Sequence, residues 1–152
     1  MFHIKHRIGI KSPVDRVYEA LSSTQGISNW WTKDTTGESA VGSIVTTRFN
    51  SPDGAEVGSM KFEILELVPV KKVGWKFIEG PKEWIGTEVV FDIHQDGEYT
   101  IVLFSHLNWA EEVEFKSHCS MKWAVFLLSL KQLVEQGQGC PSPGDFKIDN
   151  WN

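Results

Sequence analysis

Residues 116–135 constrain this chain more than any other stretch, because they read as one long helix with a broad apolar face. At 100° per residue, Cys119, Trp123, Phe126, Leu127, Leu130, Leu133 and Val134 fall in one sector. His118, Lys122, Ser129, Gln132 and Gln136 gather on the far side. A stripe that wide needs a large curved apolar partner. Met121, Ala124, Val125 and Leu128 also interrupt the back of the helix, where contact with water gives apolar side chains no role. Two covers are available for them: the C-terminal tail with Phe146, Ile148 and Trp151, or a second copy of the chain. The flexible turn at 137–144 favours the tail, so residues 137–152 are expected to dock back on the domain.

The partner for the apolar face has to come from upstream. Residues 2–10 alternate strictly, with Phe2, Ile4, His6, Ile8 and Ile10 on one face, the signature of a half-buried strand. Ser12-Pro13-Val14-Asp15 predicts a helix start with Ser12 as N-cap and proline at the first helical position. A short second helix leads into Asn29-Trp30-Trp31, and the polar residues 32–43 read as a surface loop. Strands are then predicted at 44–50, 57–68, 73–79, 87–94 and 99–106. The turns between them carry Pro52-Asp53-Gly54, Pro69, Gly80-Pro81 and Asp96-Gly97. An acidic loop at 107–115 precedes the long helix. This order predicts one α+β domain over residues 1–152, a curved antiparallel sheet wrapped around the C-terminal helix.

Composition removes several function classes. The net charge is −5 and the basic residues are scattered, so no surface is set up to neutralise phosphates and no nucleic-acid partner is expected. No apolar run approaches the length of a membrane span, so no membrane insertion is expected either. Two cysteines, Cys119 and Cys140, give neither a disulfide framework nor a metal-ligand spacing. The expectation is a soluble cytoplasmic protein without cofactor or metal.

Several stretches carry a resemblance. They are Ser12-Pro13 with Val17-Tyr18-Glu19-Ala20-Leu21, then Gly26-Ile27-Ser28-Asn29-Trp30-Trp31, then Gly86-Thr87-Glu88-Val89. Cys119-Ser120-Met121-Lys122-Trp123 and Leu127-Leu128-Ser129-Leu130 complete the set. In this order and spacing the chain resembles the START-like (SRPBCC) superfamily, whose fold is the helix-grip. Within it the chain is similar to the subgroup of activators of the heat-shock-chaperone ATPase and bacterial polyketide cyclase-like proteins. Many relatives have glycine where this chain has Lys122. The resemblance implies a deep cavity between sheet and long helix that holds an apolar molecule, and in a minority of members performs chemistry there.

If the concave face follows the stronger apolar alternation, Phe49, Met60, Phe62, Trp75, Phe77, Val89, Phe91, Ile101 and Leu103 face the helix. Trp123, Phe126, Leu127 and Leu130 look back at them, and Trp30 and Trp31 close one end. Each is most simply a core residue, but together they form an apolar wall suited to a hydrophobic or aromatic ligand. Chemistry has one candidate, His106, at a strand end near Trp109, Glu111 and Glu112. It reads either as a general base beside carboxylates or, more simply, as a surface histidine. Cys119, on the apolar face, reads as a buried small residue and Cys140 as an exposed thiol. The expected function is therefore binding of a small hydrophobic molecule, whether by a monomer or a homodimer. The rivals are a cyclase or hydrolase using the same cavity and a chaperone-interaction module, and the residues leave open whether any reaction is catalysed.

Overall fold

The computed structural model describes residues 1–152. Strand β1 (Phe2–Ile10) leads into helices α1 (Val14–Ser22) and α2 (Thr24–Trp30). Six strands follow: β2 (Asp34–Thr36), β3 (Ile44–Asn50), β4 (Glu56–Val68), β5 (Lys72–Glu79), β6 (Glu88–Asp96) and β7 (Tyr99–Trp109). Helix α3 (Glu114–Gln136) closes the order. The seven strands form one curved antiparallel sheet in the order β1-β7-β6-β5-β4-β3-β2. Helix α3 packs Trp123 on the sheet, with its ring 4.7 Å from that of Phe104. The fold is the expected α+β helix-grip.

Two local features place the short helices. Ser23 caps α2, its hydroxyl accepting from the Gly26 amide at 2.9 Å. Gly26 has to be glycine, since a Cβ there would lie 2.6 Å from the Ala20 carbonyl oxygen. That close approach lets the Trp30 indole donate to the same carbonyl at 2.9 Å. The tryptophan pair is thereby fixed against the inner face of the sheet, Trp30 edge-on to Phe91 and Trp31 stacked on Trp75. The start of α1 differs from expectation: Pro13 occupies the N-cap position, and no side chain of α1 caps it. Gln95, at the β6–β7 end, instead accepts from the Val14 amide at 3.0 Å, a partner that local sequence could not reveal.

Register corrects the expected concave face on β7. Residues directly opposite on antiparallel strands share a face, and β6 pairs Val89 with His106, Phe91 with Phe104 and Ile93 with Val102. The inward residues of β7 are therefore Val102, Phe104 and His106. Leu103 points out and is exposed, while Ile101 lies over Gly9 on the outer face. Residues 32–43 are likewise not all loop, because β2 pairs with β3 along Asp34–Thr36.

The C-terminal segment runs back along α3. Ser142 joins the chain at Trp31 and Lys33 by backbone hydrogen bonds of 2.8 and 3.1 Å. Asp145 then meets Lys122, and Asp149 meets His118 at 2.7 Å. Lys122 and Ser129 are consequently buried, contrary to their expected place on a wet face. The tail covers this flank of α3 and not the stripe of Met121, Val125 and Leu128 that it was expected to cover. Met121 and Leu128 remain exposed. No helix is long and apolar enough to cross a membrane.

Candidate functional site

On the inner face of β7, His106 is completely buried and both ring nitrogens are engaged. The Trp123 indole can only donate, and it donates to Nδ1 at 3.1 Å, so Nδ1 carries no proton. The proton is on Nε2, which donates to the Thr87 hydroxyl at 2.8 Å, and Thr87 passes its own hydrogen to the Trp84 carbonyl at 2.5 Å. Burial pushes the imidazole pKa down to about 3. His106 is thus neither the expected surface histidine nor a base beside carboxylates. It orders a buried polar chain among aromatic rings.

Those rings fill most of the space between sheet and helix. Phe62 and Trp75 stack at 4.2 Å, Trp31 lies on Trp75 at 5.6 Å and on Trp123 at 5.1 Å, and Trp84 stacks on Trp123 at 5.8 Å. Of the expected lining, Trp30, Phe62, Trp75, Phe77, Phe91 and Leu127 are embedded in this packing.

The space left over lies to one side, between β3–β4, α3 and the C-terminal tail. It is a pocket of about 160 Å³, open to the surface, with nine hydrophobic residues among its twelve lining side chains. Trp31, Phe49, Met60, Trp123 and Phe126 come from the expected set. Trp84, Phe115, His118, Cys119, Lys122, Trp151 and Asn152 join them.

Its polar edge is held by the tail. The Lys122 ammonium lies against the Asp145 carboxylate and donates to the Phe146 carbonyl at 3.0 Å, 5.1 Å from the Phe126 ring centre. Burial alone would raise the Asp145 pKa, but hydrogen bonds from Lys122 and Lys147 outweigh it and hold the carboxyl below its ordinary value. Trp151 packs over His118 at 5.3 Å and Phe115 at 6.4 Å, forming the outer wall. Cys119 is buried and its thiol pKa is pushed up to about 12 by that burial, so it offers no thiolate.

Residues 11–135 match the family model described as Activator of Hsp90 ATPase homolog 1-like protein. The chain belongs to this family. Among solved structures, the Aha1 dimer from Colwellia psychrerythraea is 42% identical, matched over 91% of this chain and 100% of that one, with a TM-score of 0.80. MLL2253 from Mesorhizobium loti has 17% identity over 89% of this chain and 98% of that one (TM-score 0.75). CalU16 from Micromonospora echinospora has 20% identity over 93% and 77% (TM-score 0.70). The last two share the fold. No protein of curated function matches the sequence significantly.

For a member of the Activator of Hsp90 ATPase homolog 1-like family, the lining residues invisible to periodicity have identifiable causes. Trp84 follows the Gly80-Pro81 turn and belongs to no repeating pattern, yet it is buried against Phe77 and His106. His118 and Lys122 sit on what α3 alone would present to water. They became part of the pocket because the tail returned over them.

Proposed function

We propose that this protein holds a small planar apolar molecule, or one ring of a larger one, in the pocket beside α3, and that it does so as a homodimer. The observation that carries the first part is the pocket's size and lining. A cavity of about 150 Å³ with apolar walls takes benzene, and about 160 Å³ lined by Trp31, Trp84, Trp123 and Phe126 is matched to a single ring. Its open mouth leaves room for a polar substituent to stay in water. The homodimer is supported by the Colwellia psychrerythraea relative, which is a dimer. Binding is favoured over catalysis because His106 is neutral with both nitrogens committed, and burial holds Cys119 as the thiol.

The test is an NMR titration with benzene and indole. Saturable shifts are expected at the amides of Cys119, Trp123 and Phe126. Shifts that never saturate, or that fall elsewhere, overturn the reading. Family membership favours a second reading, contact with a heat-shock-chaperone ATPase. Adding the protein to an Hsp90-type chaperone from the same cell and measuring ATP turnover decides it: stimulation supports this reading and an unchanged rate removes it.

A further inference from the structure

The back of α3 carries an apolar seam that the fold leaves partly open. Ser117, Met121, Val125, Leu128 and Gln132 follow one another at spacings of four, four, three and four residues, the pattern of a helix–helix contact. They lie opposite the sector of Trp123 and Leu130 that packs on the sheet. Met121 and Leu128 are 58% and 59% exposed, and Val125 is half-buried between them. Lys122, through Asp145 and the Phe146 carbonyl, holds the docked tail on the neighbouring flank, and the tail borders only the Ser117–Met121 end of the seam, across a cleft with Ile148 and Trp151.

We infer that this seam is where a second copy of the chain docks, α3 against α3 and antiparallel, with Val125 at the twofold axis. This rests on the homodimer reading above and adds the face to it. A contact of twofold symmetry must be self-complementary. With the axis at Val125, Met121 of one copy meets Leu128 of the other, and Ser117 meets Gln132. No charged residue occupies these five positions, and Glu114 and Glu135 continue the same line only beyond its two ends. Two copies therefore close without burying an unpaired charge, and the apolar centre has the charge-depleted composition of an interface core.

Sedimentation over a range of concentrations, with the parent and with Leu128→Lys, tests both levels. The parent should dimerise, and Leu128→Lys, which changes an exposed side chain, should raise the dissociation constant at least about tenfold with an unchanged circular dichroism spectrum. A Cys140→Ser/Val125→Cys protein should form a disulfide-linked dimer under mild oxidation, because a residue on the axis meets its own copy. A parent that is monomeric throughout overturns the homodimer reading and the seam with it. A dimeric parent whose Leu128→Lys variant dimerises equally well, and whose Val125→Cys variant does not cross-link, overturns the seam alone.

Discussion

The indole N–H of Trp123 donates to Nδ1 of His106 over 3.1 Å, and this bond joins helix α3 to strand β7. It also sets the histidine's tautomer, and so the direction of the chain through Thr87 to the Trp84 carbonyl. A protonated imidazole would present two N–H groups, one of them against the indole N–H, and burial offers it no counter-charge.

Acid should therefore destabilise the protein through His106. Above about pH 6.5 the imidazole is neutral in folded and unfolded chains alike and contributes no pH dependence. Below that, the unfolded chain takes up a proton that the folded protein refuses until about pH 3. Stability falls across the window by up to about 1.4 kcal/mol per pH unit. His106→Gln keeps one acceptor and one donor and should flatten the slope. Urea unfolding of both proteins at a series of pH values measures it, and equal slopes would show that His106 titrates normally.

Trp123 contributes a ring and a donor, and the two can be separated. Trp123→Phe keeps most of the ring packing but leaves Nδ1 of His106 without its partner, at a cost of about 1–3 kcal/mol. Trp123→Ala also opens a cavity at the centre of the core and should cost roughly 3–5 kcal/mol. Thermal unfolding orders the two. A phenylalanine variant as stable as the parent would mean that the hydrogen bond contributes nothing net.

Where packing repeats with the period of its element, the residues announce it. The apolar sector of α3 and the inward faces of β4, β5 and β6 were legible in this way. β7 was not, because Ile101, Val102, Leu103 and Phe104 are apolar at both parities and only pairing with β6 selects a face. The pocket was half legible. Its aromatic wall follows from periodicity, but its polar edge depends on residues 145–152 returning to α3, a contact 23 residues apart for Lys122 and Asp145. A lysine on a helix predicts solvent until something covers it.

That pair makes its own prediction. The Lys122 side chain is 11% exposed and that of Asp145 is 0% exposed. Lys122→Met leaves the buried carboxylate with Lys147 as its remaining partner, and the lost charged hydrogen bond should cost roughly 1–3 kcal/mol. Lys122→Met/Asp145→Leu removes both charges and should recover most of the loss. Because the Asp145 carboxyl is held below its ordinary 3.8, its contribution is present above that pH and disappears only below it. This is a more acidic window than that of His106. Urea unfolding of the cycle measures the coupling, and a double variant no more stable than the single would place the cost elsewhere.

The tail itself is the last test, since it serves both stability and the pocket. Deleting residues 145–152 removes Trp151 from Phe115 and His118 and releases the Lys122 ammonium to water. The rings behind, from Trp31 to Trp123, are held by the sheet and α3 and should stay in place. The melting temperature should drop by about 2–8 °C, the shift expected for losses of 1–2 kcal/mol in a domain this size. Of the pocket walls only Trp151 and Asn152 are lost, so a bound aromatic molecule should be weakened but not abolished. A truncated protein that melts like its parent would show that the tail's ion pairs merely decorate the helix. Complete loss of binding would show that the tail, and not the aromatic wall, supplies the site.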